Sequence, residues 1–100
     1  MEILFRTRKL ERQFTKSAEA IKAFGQEVGR RYIQRLNIMA AARDLEEVMA
    51  LPGLRCHELA GNRKGHYAVN LTGFYRLIFT MVDDRVDVIR IEEVSKHYGD

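Results

Sequence analysis

Residues 51–82 read LPGLRCHELAGNRKGHYAVNLTGFYRLIFTMV, and this stretch decides the fold. It opens on Leu51-Pro52-Gly53, a strong stop and turn signal. Apolar and polar residues then alternate in two runs that meet at Thr72-Gly73, which is the pattern of an antiparallel β-hairpin. A basic loop bounded by glycines, 61–65, precedes the first run, and a shorter strand is predicted over 55–59. The second half of the chain is therefore predicted to be β-sheet.

The segment before this stretch is predicted to be helical after one short strand at 2–5. Apolar residues in 8–24 recur at three- and four-residue steps, as they do on one face of a helix. A second helix is predicted over 26–43 by the same spacing. Asp44 is a candidate N-cap for one further helical turn over 44–50.

The segment after it predicts one more strand. Asp83-Asp84 marks a turn, 86–91 is the last predicted strand, and 92–100 is predicted to be a loop or a short terminal turn. Helices followed by a meander of antiparallel strands indicate an α+β fold, organised as one domain over 1–100. The helices should cover one face of the sheet and leave the other free for function.

Composition indicates an ordinary folded domain. The 100 residues are 46% hydrophobic and 31% charged, and no apolar run approaches the ~20 residues of a membrane span. Cys56 is the single cysteine of the sequence, so no internal disulfide can form. It is predicted to be a core thiol in a reducing compartment. No secretory signal is recognisable in 1–12, so the expected location is the cytoplasm, without a membrane partner.

The net charge of +3 is distributed unevenly. Residues 1–35 carry 9 basic and 4 acidic groups, and 55–76 carry 4 against 1, whereas 36–54 and 77–100 are net acidic. A basic front segment and a basic central loop suit a polyanion or an acidic protein as partner, although solvated helix faces have the same composition.

The sequence lacks the motifs of several enzyme classes. It has no metal-ligand spacing, no phosphate-binding or dinucleotide-binding glycine loop, and no serine in a nucleophile elbow. The groups left for chemistry are cations, imidazoles and one tyrosine: His57, Arg63, Lys64, His66, Arg76, His97 and Tyr98. Each of them taken alone also has an ordinary structural or solubility role.

Together these groups suit RNA cleavage by the RNA's own 2′-hydroxyl. That reaction requires a base for the hydroxyl, an acid for the 5′-oxygen and cations around the crowded phosphorus. Histidine exchanges protons near neutral pH, and arginine matches phosphate oxygens with its forked donors.

Residues 51–82 resemble the RelE/ParE toxin superfamily, and in particular its HigB-like, plasmid maintenance killer branch. The resemblance is carried by the Leu-Pro-Gly turn, His57, the 61–65 loop and the arginine strand Tyr75-Arg76-Leu77-Ile78-Phe79. It implies a RelE-like fold and a bacterial type II toxin that cleaves mRNA in the ribosomal decoding site, without metal or other cofactor. The implied partners are the ribosome, mRNA and a HigA-like helix-turn-helix antitoxin, through which alone operator DNA would be bound.

On this resemblance Arg76 stabilises the scissile phosphate and His57 transfers a proton. Arg63, Lys64 and His66 are expected to bind the RNA backbone or the ribosome. HigB-like toxins usually end their last strand in Asp-Tyr-His, where this chain has Glu93-Val94-Ser95. The hypothesis is that the tail replaces that ending, with Lys96 binding RNA and His97 and Tyr98 in catalytic roles.

Two other functions remain open from the sequence. A ParE-like toxin that inhibits DNA gyrase requires no acid–base residues, which would explain the incomplete catalytic set. An inactive relative would bind only its antitoxin.

Overall fold

A computed structural model describes residues 1–96 of the chain. In chain order the elements are β1 (Glu2–Phe5), α1 (Arg8–Thr15), α2 (Ser17–Phe24), α3 (Gln26–Ala41), α4 (Leu45–Ala50), β2 (His57–Glu58), a 3₁₀ turn (Gly61–Arg63), β3 (His66–Asn70), β4 (Tyr75–Val82) and β5 (Arg85–Lys96). The α+β class predicted from the sequence is confirmed.

The sequence predicted one continuous helix over 8–24, and this prediction was wrong at one residue, where the helix is interrupted. Lys16 is extended, with φ −129° and ψ 103°, so α1 ends before it and α2 begins after it. The break follows from packing, since it lets α2 turn to lie against α3. At the contact an added Cβ on Gly29 would come within 2.8 Å of the carbonyl carbon of Ala20.

The N-cap predicted at Asp44 is confirmed, and Thr7 caps α1 in the same way. Thr7 accepts a hydrogen bond from the Leu10 amide at 3.1 Å at the start of α1, and Asp44 accepts one from the Glu47 amide at 3.0 Å at the start of α4. The strand predicted over 55–59 is shorter, because Arg55 has a left-handed φ of 51° and β2 begins only after it.

The five strands form one sheet in the order β1-β5-β4-β3-β2. The contacts β2–β3, β3–β4 and β4–β5 are antiparallel, as predicted, and β1 adds to β5 in parallel. β5 runs to Lys96, so the prediction of a loop from residue 92 was wrong for 92–96. A bulge at Glu92 lets β5 keep pairing with β4 as far as Tyr75.

The core lies between the helices and one face of the sheet. Tyr32, Leu36 and Met39 of α3 are fully buried against strand residues that include Leu77 and Phe79. The Tyr32 hydroxyl donates to the Leu10 carbonyl oxygen at 2.7 Å and ties α1 to α3. Because side chains alternate along each strand, the neighbours of these core residues point to the other side of the sheet, which is called the open face below.

Candidate active site

A central row of residues crosses four strands of the open face. His57 pairs with Ala68, Ala68 with Ile78, and Ile78 with Glu93. Ala68 and Ile78 are fully buried and form an apolar floor. His57 and Glu93 therefore lie at opposite ends of the row, about 14 Å apart across three strand spacings.

Arg76 lies one row away, between Asn70 and Ser95 and toward the β3–β4 turn. Its side chain is half-buried, and its Nε is buried with no hydrogen-bond partner within residues 1–96. Arg35 reaches the same end of the sheet, where its Nε donates to the Asn70 carbonyl oxygen at 3.0 Å. A desolvated charged donor normally has a partner, because burying it alone costs free energy. The charge of Arg76 is thus left uncompensated by the described part of the chain.

The opposite end of the open face is built around Glu92. This carboxylate accepts hydrogen bonds from Thr80 Oγ1 at 2.9 Å and from Arg90 Nε at 2.7 Å. Burial alone would raise the pKa of Glu92, but these hydrogen bonds and the charges of Arg90 and His66 outweigh it and hold the pKa below its ordinary value. Glu92 is therefore an ionised anchor for the polar groups around it.

His66 pairs with Thr80 on this same end. Its Nδ1 is the second buried side-chain atom without a hydrogen-bond partner among the described residues. Four residues of β4 separate the rows of His66 and Arg76, which is about 13 Å along the strand. The two unpaired groups therefore frame the apolar floor from its two ends.

His57 is exposed on the open face, and its Nδ1 lies 2.9 Å from the Arg55 carbonyl oxygen. Since a carbonyl oxygen can only accept, Nδ1 carries the proton in this contact. In the neutral ring Nε2 is then the free acceptor. The contact with the Arg55 carbonyl oxygen thus favours the tautomer in which Nε2 is the acceptor.

The loop that carries Arg63 is held at two points. The Gly65 amide donates to Glu58 Oε2 at 2.9 Å, and Arg63 Nη2 lies 3.4 Å from Glu93 Oε2. Arg63 is therefore brought over the open face. Lys64 lies at the exposed turn of the same loop.

Among the remaining predicted site residues, Lys96 is not brought to this face. Lys96 pairs with Tyr75, and its Nζ lies 5.9 Å from the centre of the Tyr75 ring, on the face opposite to Arg76. His97 and Tyr98 lie outside the described residues. The sequence thus predicted four open-face groups, namely His57, Arg63, His66 and Arg76.

Sequence reasoning missed the role of Glu92 with its partners Thr80 and Arg90. The available signal was the alternation of Arg90 and Glu92 around the apolar Ile91, followed by a second apolar residue, Val94, that returns to the core side beyond the bulge. Cys56 is buried, and its burial raises the pKa of the thiol to about 12, so the predicted core thiol is confirmed. Within residues 1–96 no cluster of three His, Cys, Asp or Glu side chains is arranged to hold a metal ion, and no helix is long and apolar enough to cross a bilayer.

Comparison with protein families identifies the class. Residues 4–92 match the family model of the HigB-like toxins, described as RelE-like toxins of the type II toxin–antitoxin system HigB. The chain belongs to this family, which confirms the resemblance seen in residues 51–82. As a type II toxin it has an antitoxin as its partner. A comparison with curated proteins gave no match.

Solved structures show the same fold at low sequence identity. The YoeB/ParE toxin from Agrobacterium tumefaciens is 14% identical with a TM-score of 0.63, and the match covers 98% of this chain and 100% of that one. The YoeB–YefM complex from Staphylococcus aureus gives 17% identity, a TM-score of 0.62 and 98% coverage of both chains. YafQ from E. coli gives 16% identity, a TM-score of 0.58, and 95% and 91% coverage.

Proposed function

We propose that this toxin is an endoribonuclease that cleaves mRNA bound to the ribosome, and that the scissile phosphate binds on the open face. The observation that carries the proposal is the buried, unpartnered Nε of Arg76 beside a floor of fully buried apolar residues. A phosphate over this floor compensates the charge that the protein leaves unpaired.

The proposed reaction is an internal transfer within the RNA. The 2′-oxygen loses its proton and forms a bond to the adjacent phosphorus, while the bond from phosphorus to the 5′-oxygen breaks. The 5′-oxygen takes up a proton, so the products are a 2′,3′-cyclic phosphate and a 5′-hydroxyl, and no other reactant is consumed. Acid–base and electrostatic groups suffice for these steps.

The open-face residues supply two of the required roles. Arg76 binds the non-bridging phosphate oxygens, which gain negative charge as the new bond forms. His57 accepts the 2′-hydroxyl proton at Nε2, the nitrogen left free by the contact of Nδ1 with the Arg55 carbonyl oxygen. About 12 Å separates the backbones of His57 and Arg76, a span that two long side chains can bridge around one phosphate.

The remaining roles fall to the loop, β3 and the tail. Arg63 and Lys64 bind the neighbouring RNA backbone, and His66 binds it at the other end of the floor. His97 is the proposed general acid and Tyr98 its assistant or a stacking partner for a base, whereas Lys96, on the other face, is left without a role at the scissile phosphate. The cytoplasmic partners are the ribosome, mRNA and a HigA-like helix-turn-helix antitoxin, through which the complex would bind operator DNA.

Brief induction of the toxin in growing bacteria tests the function. New mRNA 5′ ends in codon register, mapped by primer extension, are the expected result, and they should vanish with Arg76→Ala and His57→Ala. Arg85→Ala is the matched control, because it removes an exposed cation paired with Asp87 at the far end of β5.

Two results would contradict the proposal. DNA damage without new mRNA 5′ ends would assign a gyrase inhibitor. Unchanged growth, with the protein accumulating as a folded chain, would assign a relative that only binds its antitoxin.

A further inference from the structure

A groove on the helical side of the molecule has the composition of an anion site. It lies between α1 and α2, has a volume of about 370 Å³, and is lined by Lys9, Arg12, Gln13, Glu19, Lys22 and Ala23. Three cations thus face one carboxylate. All three cations belong to the basic front segment, residues 1–35.

The three cations of this groove, Lys9, Arg12 and Lys22, are exposed, and none forms an ion pair with a carboxylate of residues 1–96. By contrast, the arginines at 63, 85 and 90 each have a carboxylate within 4.0 Å. The positive charge of the groove is therefore not neutralised by neighbouring carboxylates.

Gln13 adds a neutral donor at the base of the groove. Gln13 is only 5% exposed, yet its side-chain amide makes no hydrogen bond within the described chain. The amide atoms are nevertheless not fully buried. In residues 1–96 the only fully buried side-chain nitrogen or oxygen atoms without a hydrogen-bond partner belong to His66 and Arg76. The amide consequently opens into the clefts that Gln13 lines, where a ligand would satisfy it.

We propose that the α1–α2 groove binds a phosphate of an RNA backbone. This inference rests on the proposed function and extends it to a second point of RNA contact. The guanidinium of Arg12 matches two phosphate oxygens, Lys9 and Lys22 add point charges, and the Gln13 amide N–H donates to a phosphate oxygen.

The groove is continuous with the open face, which favours RNA over an acidic protein segment. A neighbouring cleft of about 440 Å³ shares Lys9, Gln13 and Ala23 with the groove and extends to Glu92 and Glu93 of β5. Both of these carboxylates are paired with arginines, so they do not leave unneutralised charge on the path. A strand cut on the open face can therefore continue along this cleft into the groove.

Fluorescence anisotropy with a short 2′-O-methyl RNA tests the site, because this probe binds and is not cleaved. The full-length double variant Arg12→Gln/Lys22→Gln should weaken binding about tenfold and lower the slope of log affinity against log salt by about 0.7, the value for one lost phosphate contact on a single strand. Gln13→Leu should weaken binding about threefold with an unchanged slope, since it removes a donor without charge. Arg30→Gln/Arg31→Gln, which removes the same charge from α3 outside the groove, should leave binding within about twofold.

The outcomes separate this site from the proposed active site. Equal loss in the groove and α3 variants, or no loss in either, would overturn the proposal. The proposal would also be overturned if the protein bound poly-glutamate but not RNA, and if the groove variants weakened that binding. This result would assign the groove to an acidic protein. Failure of Arg76→Ala to abolish mRNA cleavage would refute the catalytic assignment while leaving the groove result intact. Thermal melts of each variant establish that it is folded.

Discussion

Arg63 and Glu93 form an ion pair across the open face, with 3.4 Å between Arg63 Nη2 and Glu93 Oε2. The pair joins the loop after β2 to the middle of β5. Its side chains are 38% and 46% exposed, so it contributes little to stability. The pair matters for electrostatics, because the Glu93 carboxylate offsets the positive charge of Arg63 where RNA is proposed to bind.

The variant Glu93→Gln should bind RNA more tightly. A carboxylate a few Å from a phosphate costs on the order of 1 kcal/mol in water, so its removal should raise affinity about two- to fivefold. Anisotropy with 2′-O-methyl RNA measures this. Asp87→Asn breaks the exposed pair with Arg85 and is the matched control, since it lies away from the open face. An equal gain in both variants would assign the effect to net charge alone.

The variant Arg76→Ala should separate stability from activity. The Nε of Arg76 has no hydrogen-bond partner within residues 1–96, so its loss breaks no described bond of that atom and the free energy of unfolding should change by less than about 1 kcal/mol. The cleavage rate should fall at least about 100-fold, as it does when a donor to a developing oxyanion is removed. Urea unfolding and primer extension give the two values. A strongly destabilised variant would show instead that Arg76 is a structural residue.

The sheet and its two faces were predictable from local pattern. Alternation places Tyr67 and Val69 on the core side and Ala68 on the other, and the same argument places Arg76 on the open face. Period-two patterns are local, so a single sequence is sufficient to find them. The break at Lys16 was not predictable, because no glycine or proline marks it and it depends on the close contact of α2 with α3.

The charged half of the site was harder to predict for a related reason. Alternation alone places Glu92 on the same face as Arg90, and the bulge at Glu92 adds Glu93 to that face. The bulge is a property of register between strands, and register depends on partners distant in sequence. Residues 97 and 98, which the tail hypothesis requires, lie outside the described chain and stay a prediction.

The variant Glu92→Gln should lower stability in a pH-dependent way. The folded pKa of Glu92 lies below its unfolded value, so the carboxylate stabilises the fold above about pH 4.3 and loses this effect as pH falls through the folded pKa. At pH 7 the variant should lose about 1–3 kcal/mol, since Arg90 loses its charged partner. The loss should shrink toward pH 3.

Urea unfolding of both proteins from pH 3 to pH 7 measures this difference. Glu11→Gln is the control, because Glu11 is exposed and has no ion pair within residues 1–96, and it should change stability little at any pH. A pH-independent loss in Glu92→Gln would mean that the shape of the side chain matters and its charge does not.

The variant Gly29→Ala should destabilise the contact between α2 and α3. Alanine normally favours a helix interior over glycine by about 1 kcal/mol. Here the new Cβ would lie 2.8 Å from the carbonyl carbon of Ala20, and backbone cannot move aside as a flexible side chain can. We therefore expect a net loss of about 1–3 kcal/mol, which lowers the melting temperature by roughly 4–8 °C for each kcal/mol in a domain of this size.

Gly73→Ala is the matched control for this substitution. Gly73 has no left-handed φ, and nothing lies within 4 Å of its added Cβ, so the melting temperature should stay the same or rise slightly. Differential scanning calorimetry of both variants makes the comparison. Because α2 forms one wall of the proposed RNA groove, Gly29→Ala should also weaken RNA binding, whereas a variant that melts higher than the parent would show that the helices can separate without cost.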